Sequence, residues 1–233
     1  MHIFWIFCIF LGLFVQSSIT FVNDFEFIVF SQQWLKSTCI KLQIPTNKCN
    51  VPQQDYWTIH GVWPNRHGKI QPSNCRPDLE FNLHELDNIR DKLEIKWRSA
   101  LDKMGYDFWK HEWDKHGTCS IRLNSMNTIE KYFYMGLKLN KIYDIQYILE
   151  RSNIIPGRRY PISKILNALD EKLGVLPQVT CIRGGKDKDQ FLEEVRICMD
   201  KEFKLISCKE HLKTETNCNR VQFVEYPERF GDY

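Results

Sequence analysis

Cysteine placement constrains this chain more than any other feature. Nine cysteines occur in 233 residues. Eight of them (Cys39, Cys49, Cys75, Cys119, Cys181, Cys198, Cys208 and Cys218) follow an opening apolar run that holds Cys8. An even number spread along a chain in an oxidising compartment reads as a framework of four disulfides, each restricting what the unfolded chain can sample. Their order alone leaves on the order of a hundred pairings open. No Cys-x-x-Cys pair occurs, which argues against a zinc cluster.

The opening run decides the compartment. Ile3 to Val15 carries no charge and is 13 residues long, with Ser17 and Ser18 after it. That is too short to span a bilayer and fits the core of a signal peptide, although no Lys or Arg precedes it. The expectation is a signal over residues 1–19, cleaved between Ser17 and Thr20, and one mature domain over 20–233. No membrane association is expected once the signal is removed. The last residues, Gly231-Asp232-Tyr233, carry no Lys-Asp-Glu-Leu-type retrieval signal, so secretion or delivery to a lysosomal lumen is expected.

Hydrophobic residues make up 43% of the chain and aromatics 13%, enough for a packed core. A net charge of +3 excludes a histone-like electrostatic binder, so any nucleic-acid contact must be local. Arg158-Arg159 and Lys186-Asp187-Lys188-Asp189 read as solvated loops.

Strands are predicted at Phe25–Phe30 and Tyr56–His60, the second ended by Gly61 and Pro64, with loops over Thr46–Gln54 and Asn65–Pro77. Leu83, Leu86, Ile89, Leu93 and Trp97 recur at helical spacing. Asp107 and Gly117 mark the ends of a second helix, Asn127-Thr128 precede a third, and a fourth runs from Ser163 to Gly174. Alternation around Val179, Cys181, Val195, Ile197, Phe203, Leu205, Val221 and Phe223 then suggests short antiparallel strands. Strands at both ends with helices between them give an α+β fold: a single disulfide-stapled domain with an antiparallel sheet packed against several helices.

Two segments carry the chemistry: Trp57-Thr58-Ile59-His60-Gly61-Val62-Trp63-Pro64, and Phe108-Trp109-Lys110-His111-Glu112-Trp113-Asp114-Lys115-His116-Gly117-Thr118-Cys119. On a helix, Glu112 and His116 are four residues apart and share a face, and His111 and Lys115 have the same relation one residue round. His60 would reach in from the end of a strand across the cleft. Two imidazoles can take a proton from a ribose 2′-hydroxyl and give one to a leaving 5′-oxygen, and a nearby cation stabilises the charge that builds on phosphorus. DNA lacks the 2′-hydroxyl and cannot react in this way.

These segments resemble the paired active-site signatures of the ribonuclease T2 family, and the resemblance runs from about Phe25 to the C-terminus. It implies an endoribonuclease, most active in acid, that works as a monomer and cleaves single-stranded RNA to 2′,3′-cyclic phosphate ends without metal or cofactor. It implies His60 and His116 as acid and base, with His116 favoured as the base. Glu112 and Lys115 would stabilise the charged intermediate, His111 would contact phosphate, and Trp63 would stack on a base. It also implies the pairs Cys39–Cys49, Cys75–Cys119, Cys181–Cys218 and Cys198–Cys208. At the position of Asn65 several members carry an aspartate that contacts a purine, which leaves base preference open.

Blander readings exist for each residue. His60 alone would be a half-buried structural histidine, His116 a helix-end cation, Lys115 and Glu112 surface charges, and Trp109, Trp113 and Phe108 core. Co-occurrence of both segments with compatible cysteines favours the catalytic reading. His67, His84 and His211 read as solvated. A zinc hydrolase needs histidines four apart, whereas His111 and His116 are five apart, about 140° round a helix. A purely binding protein of the same fold would be expected to have lost a catalytic side chain, and none is missing.

Overall fold

The computed structural model describes residues 24–228 apart from 53, 55, 69, 102–104 and 185–188. The signal segment lies outside the described residues. Among them the strands are β1 (Phe27–Gln33), β2 (Thr58–Asn65), β3 (Arg158–Pro161), β4 (Gln178–Gly184), β5 (Asp189–Met199), β6 (Leu205–Ile206) and β7 (Phe223–Tyr226). The helices are α1 (Leu35–Lys41), α2 (Arg90–Lys96), α3 (Tyr106–Lys115), α4 (Ile129–Ile142), α5 (Ile145–Arg151), α6 (Ile162–Leu173) and α7 (Cys208–Leu212).

All the strands join one sheet in the order β2-β1-β5-β7-β3, with β4 and β6 also paired to β5. Pairing is antiparallel except between β5 and β7, which run parallel through Gln190–Val224 and Phe191–Glu225. The fold is therefore α+β, with a mixed sheet. Ile28, Phe30, Ile59, Val62, Val195 and Ile197 place one face of the sheet in the main core, together with the apolar sides of α4, α5 and α6. The other face carries a smaller cluster of Phe27, Val29 and Cys198, against which Trp63 packs.

Strand β2 extends beyond its expected end, through Gly61 and Pro64 to Asn65. It can hold a proline because it is an edge strand, where a missing N–H breaks no ladder bond on the open side. Its pairing with β1 jumps from Gly61–Ser31 to Ile59–Gln32 and leaves His60 as the extra residue of a bulge. A second bulge lies between Thr180 and Cys181 on β4, where Glu193 of β5 is the unpaired residue.

Buried indoles tie the elements together. Trp34, Trp57, Trp109 and Trp113 donate their N–H to Pro227 O, Tyr226 Oη, Trp97 O and Leu79 O. Leaving such a donor unpaired in the core would cost about 1–3 kcal/mol. The four disulfides pair as the resemblance implies: Cys39–Cys49, Cys75–Cys119, Cys181–Cys218 and Cys198–Cys208.

Several elements differ from expectation. The predicted helix over Leu83–Trp97 is a 3-10 turn, Leu83–Leu86, followed by α2, because Asp87, Asn88 and Ile89 interrupt it. Helix α3 is capped by Gly105 at φ 73°, not by Asp107, and ends at Lys115 with His116 as its C-cap. Gly117 opens a 3-10 turn to Cys119. Arg158 and Arg159 are exposed but belong to β3, not to a loop. Helices α1, α5 and α7 carried no recognised signal.

Candidate active site

The bulge at His60 turns one carbonyl out of the sheet ladder, and Trp97 supplies its partner: the indole Nε1 donates to His60 O at 2.9 Å. Trp109 of α3 in turn donates to the Trp97 carbonyl at 2.6 Å. A chain of two buried indoles thus connects the helix of the second segment to the strand of the first. On the far side, the disulfide from Cys75 to Cys119 and the bond from Asn74 N to Lys115 O (3.0 Å) fasten the end of α3 to the loop after β2.

Trp63 is the centre of the site. Its ring lies 5.0 Å from the His60 imidazole, edge-on, and 5.5 Å from that of His116. Its Nε1 donates to Glu112 Oε2 at 2.9 Å. Gly61 makes this bond possible: a Cβ there would lie 2.0 Å from Trp63 Nε1 and 2.2 Å from Glu112 Oε2. Gly117 plays a similar part, since its Cβ would lie 2.4 Å from the Trp113 ring. Close approach, not positive φ, sets both glycines.

Electrostatics then differentiate the titratable groups. Glu112 is buried, and desolvation pushes its carboxyl up to about 7 despite the opposing charges of His60 and Lys115 and the Trp63 hydrogen bond. Desolvation, reinforced by Lys115, His111 and His60, holds His116 down at about 3, so its imidazole is neutral in mild acid. Among the described residues its buried Nδ1 has no hydrogen-bond partner. His111, at the exposed rim, is lowered by desolvation and by Lys115. For His60, burial pulls the pKa down, but the hydrogen bond and charge of Glu194, with the charge of Glu112, outweigh it and the net shift is upward. Glu194 is held at about 2: burial opposes ionisation, and His60 and Arg196 overcome it.

The structure therefore brings His60, Trp63, His111, Glu112, Lys115 and His116 to one place. Asn65 lies on the same strand two residues beyond Trp63, its Oδ1 accepting from Arg66 N at 2.8 Å. His67 and His211 are not simply solvated; they pack on each other and on Phe27, with ring centroids 5.0–5.3 Å apart. Tyr132, whose hydroxyl donates to Val62 O at 3.0 Å, and the pair Glu194–Arg196 were missed from sequence. Two adjacent acidic residues inside an apolar alternating run, Phe191-Leu192-Glu193-Glu194-Val195-Arg196-Ile197, were the available signal.

An acid–base enzyme acting on an anionic ester needs this distribution of charge, and comparison with known proteins gives the family. The ribonuclease T2 family model matches residues 25–208, and the chain belongs to that family of RNA endonucleases. It is 35% identical over 211 residues to Ribonuclease Oy of Magallana gigas, covering 88% of this chain and 97% of that one. It is 33% identical over 184 residues to Extracellular ribonuclease LE of Solanum lycopersicum, covering 76% and 77%. Ribonuclease MC1 from bitter gourd seeds superposes with a TM-score of 0.74 at 28% identity, covering 87% of this chain and all of that one. RNase NT, solved in complex with 5′-AMP, gives 0.73 at 27% identity, covering 88% and 98%.

Proposed function

We propose that this enzyme cleaves single-stranded RNA by metal-free transesterification, with His116 as base and His60 as acid. Neutral His116 removes the 2′-hydroxyl proton, and the 2′-oxygen attacks phosphorus. The bond from phosphorus to the 5′-oxygen breaks as His60 delivers its proton to that oxygen. The products are a 2′,3′-cyclic phosphate and a 5′-hydroxyl, and solvent exchange restores both rings. Glu112 is a neutral acid below about pH 7, so it donates to a non-bridging oxygen without repelling it. Lys115 and His111 supply positive charge and a phosphate contact. Trp63 presents its half-buried ring, and Asn65 its amide, to a base.

One observation carries this reading: both imidazoles pack on a single indole that also holds Glu112. Four disulfides and the opening apolar run support secretion, or delivery to a lysosome, of a single catalytic domain after signal removal. The name of the tomato relative, an extracellular enzyme, is in keeping with this. The enzyme is proposed to work as a monomer. Among the described residues no helix is long and apolar enough to cross a membrane. Digestion of defined RNA oligonucleotides at about pH 5 with excess EDTA should yield cyclic-phosphate ends, and oligonucleotides with 2′-deoxy sugars should resist. Loss of activity on chelation would overturn the metal-free mechanism.

A further inference from the structure

Glu194 and Arg196 lie on β5, outside both histidine-bearing segments, and the scheme above does not use them. The Glu194 side chain is only 3% exposed, and both of its oxygens are engaged. Oε1 meets His60 Nδ1 at 2.5 Å, and Oε2 accepts from Arg196 Nε at 2.8 Å and Nη2 at 2.7 Å. An arginine alone would answer the need of a buried carboxylate for a counter-charge. Here the second oxygen is committed to an imidazole at the cleft.

Backbone irregularities create that contact. His60 is the extra residue of the β2 bulge, and Glu193, beside Glu194, is the extra residue of the β5 bulge. Bulges re-aim side chains that a regular ladder would place elsewhere. The two residues sit on strands flanking β1, so their side chains must meet across it. There β1 offers Ser31, a small residue paired with both Gly61 and Arg196.

An ionised carboxylate only accepts hydrogen bonds, so His60 Nδ1 must carry hydrogen. That fixes the ring's orientation and leaves Nε2 as the nitrogen that faces the substrate. We propose that Glu194, braced by Arg196, is a positioning residue that grips His60 Nδ1–H, aims Nε2 at the leaving oxygen and stabilises the imidazolium that donates to it. The proposal rests on the reading of His60 as the acid. The charged and titratable groups around His60 are Glu194 and Arg196 from β5, Glu112 and His111 from α3, and His116 at its end.

Glu194→Gln, Glu194→Asp and Glu194→Ala are compared on a dinucleoside phosphate across pH, and the His60 ring is titrated by NMR in the free enzyme. In Glu194→Gln, kcat should fall on the order of 10- to 100-fold with KM nearly unchanged. The alkaline limb and the His60 titration should both move to lower pH. Glu194→Asp keeps the charge and should restore the limb, and it keeps the test open where Glu194→Ala fails to fold. In a His60→Ala background, Glu194→Gln should cause almost no further loss. An unchanged His60 titration in Glu194→Gln, or an equal loss in both backgrounds, overturns the proposal. A wild-type rate in His60→Ala defeats the acid assignment instead, so the two failures are distinguishable.

Discussion

Gly61 shows how one missing methyl group sustains the site. The space a Cβ would need is filled by the Trp63 indole nitrogen and the Glu112 carboxylate, both closer than any real Cβ tolerates. Gly61→Ala must therefore part Trp63 from Glu112. The strand itself gains from an alanine, which loses less conformational freedom on folding than glycine. The expected outcome is a folded enzyme whose kcat falls at least on the order of tenfold, the cost of a hydrogen bond to an ionisable buried group. Circular dichroism and steady-state kinetics together check this; full activity would mean that the Trp63–Glu112 bond is dispensable.

At the level of elements, the site is a strand bulge and a helix end held in register by tryptophans. Trp97 can satisfy the His60 carbonyl because Gly136 of α4 leaves room for its ring: a Cβ on Gly136 would sit 2.2 Å from the indole, which is wholly buried. Alanine favours a helix by about 1 kcal/mol over glycine, but the clash with a ring that cannot move outweighs that. Gly136→Ala should lower the melting temperature and reduce activity together, whereas a stabilised, fully active variant would disconnect Trp97 from His60. These relations also mark what could be read in advance. The histidine-bearing segments were legible because their chemistry is local: Glu112 and His116 share a helix, and His60 and Trp63 a strand. The α+β layout followed from periodicity, with α4 and α6 where it placed them. Strand β2 was cut short because Gly61 and Pro64 are ordinary terminators, and only the edge position and the bulge excuse them. The acidic pair Glu193-Glu194 stands out in its apolar run, but the contact of Glu194 with His60 was not legible, because the two lie 134 residues apart across an intervening strand. Helices α1, α5 and α7 are about two turns or less, too short for a periodic signal.

For the whole molecule, the same groups tune activity and stability to mild acid. With His116 near 3 and neutral above it, and His60 raised above its ordinary 6.5, kcat/KM should rise from about pH 3 and fall as pH passes neutrality. Stability follows from the same shifts. Glu194, held near 2, contributes fully above 4.5 and loses that contribution as pH falls. His116 is kept neutral in the fold, so stability also drops as pH falls from 6.5 toward 3. Glu112, raised to about 7, acts oppositely: its contribution is lost as pH rises from 4.5 through 7, and that of His60 as pH passes its raised value. Melting temperature should therefore be highest between pH 4.5 and 6.5 and fall on either side; a steady rise to about pH 8 would contradict it. The division of labour between the two histidines is tested most directly with a dinucleotide whose 5′-bridging oxygen is replaced by sulfur, a leaving group that needs no proton. On ordinary RNA, His60→Ala and His116→Ala should each lose on the order of a hundredfold or more in turnover while remaining folded. On the sulfur substrate His60→Ala should recover most of the wild-type rate and His116→Ala should not; recovery by His116→Ala instead, or by neither, would contradict the account.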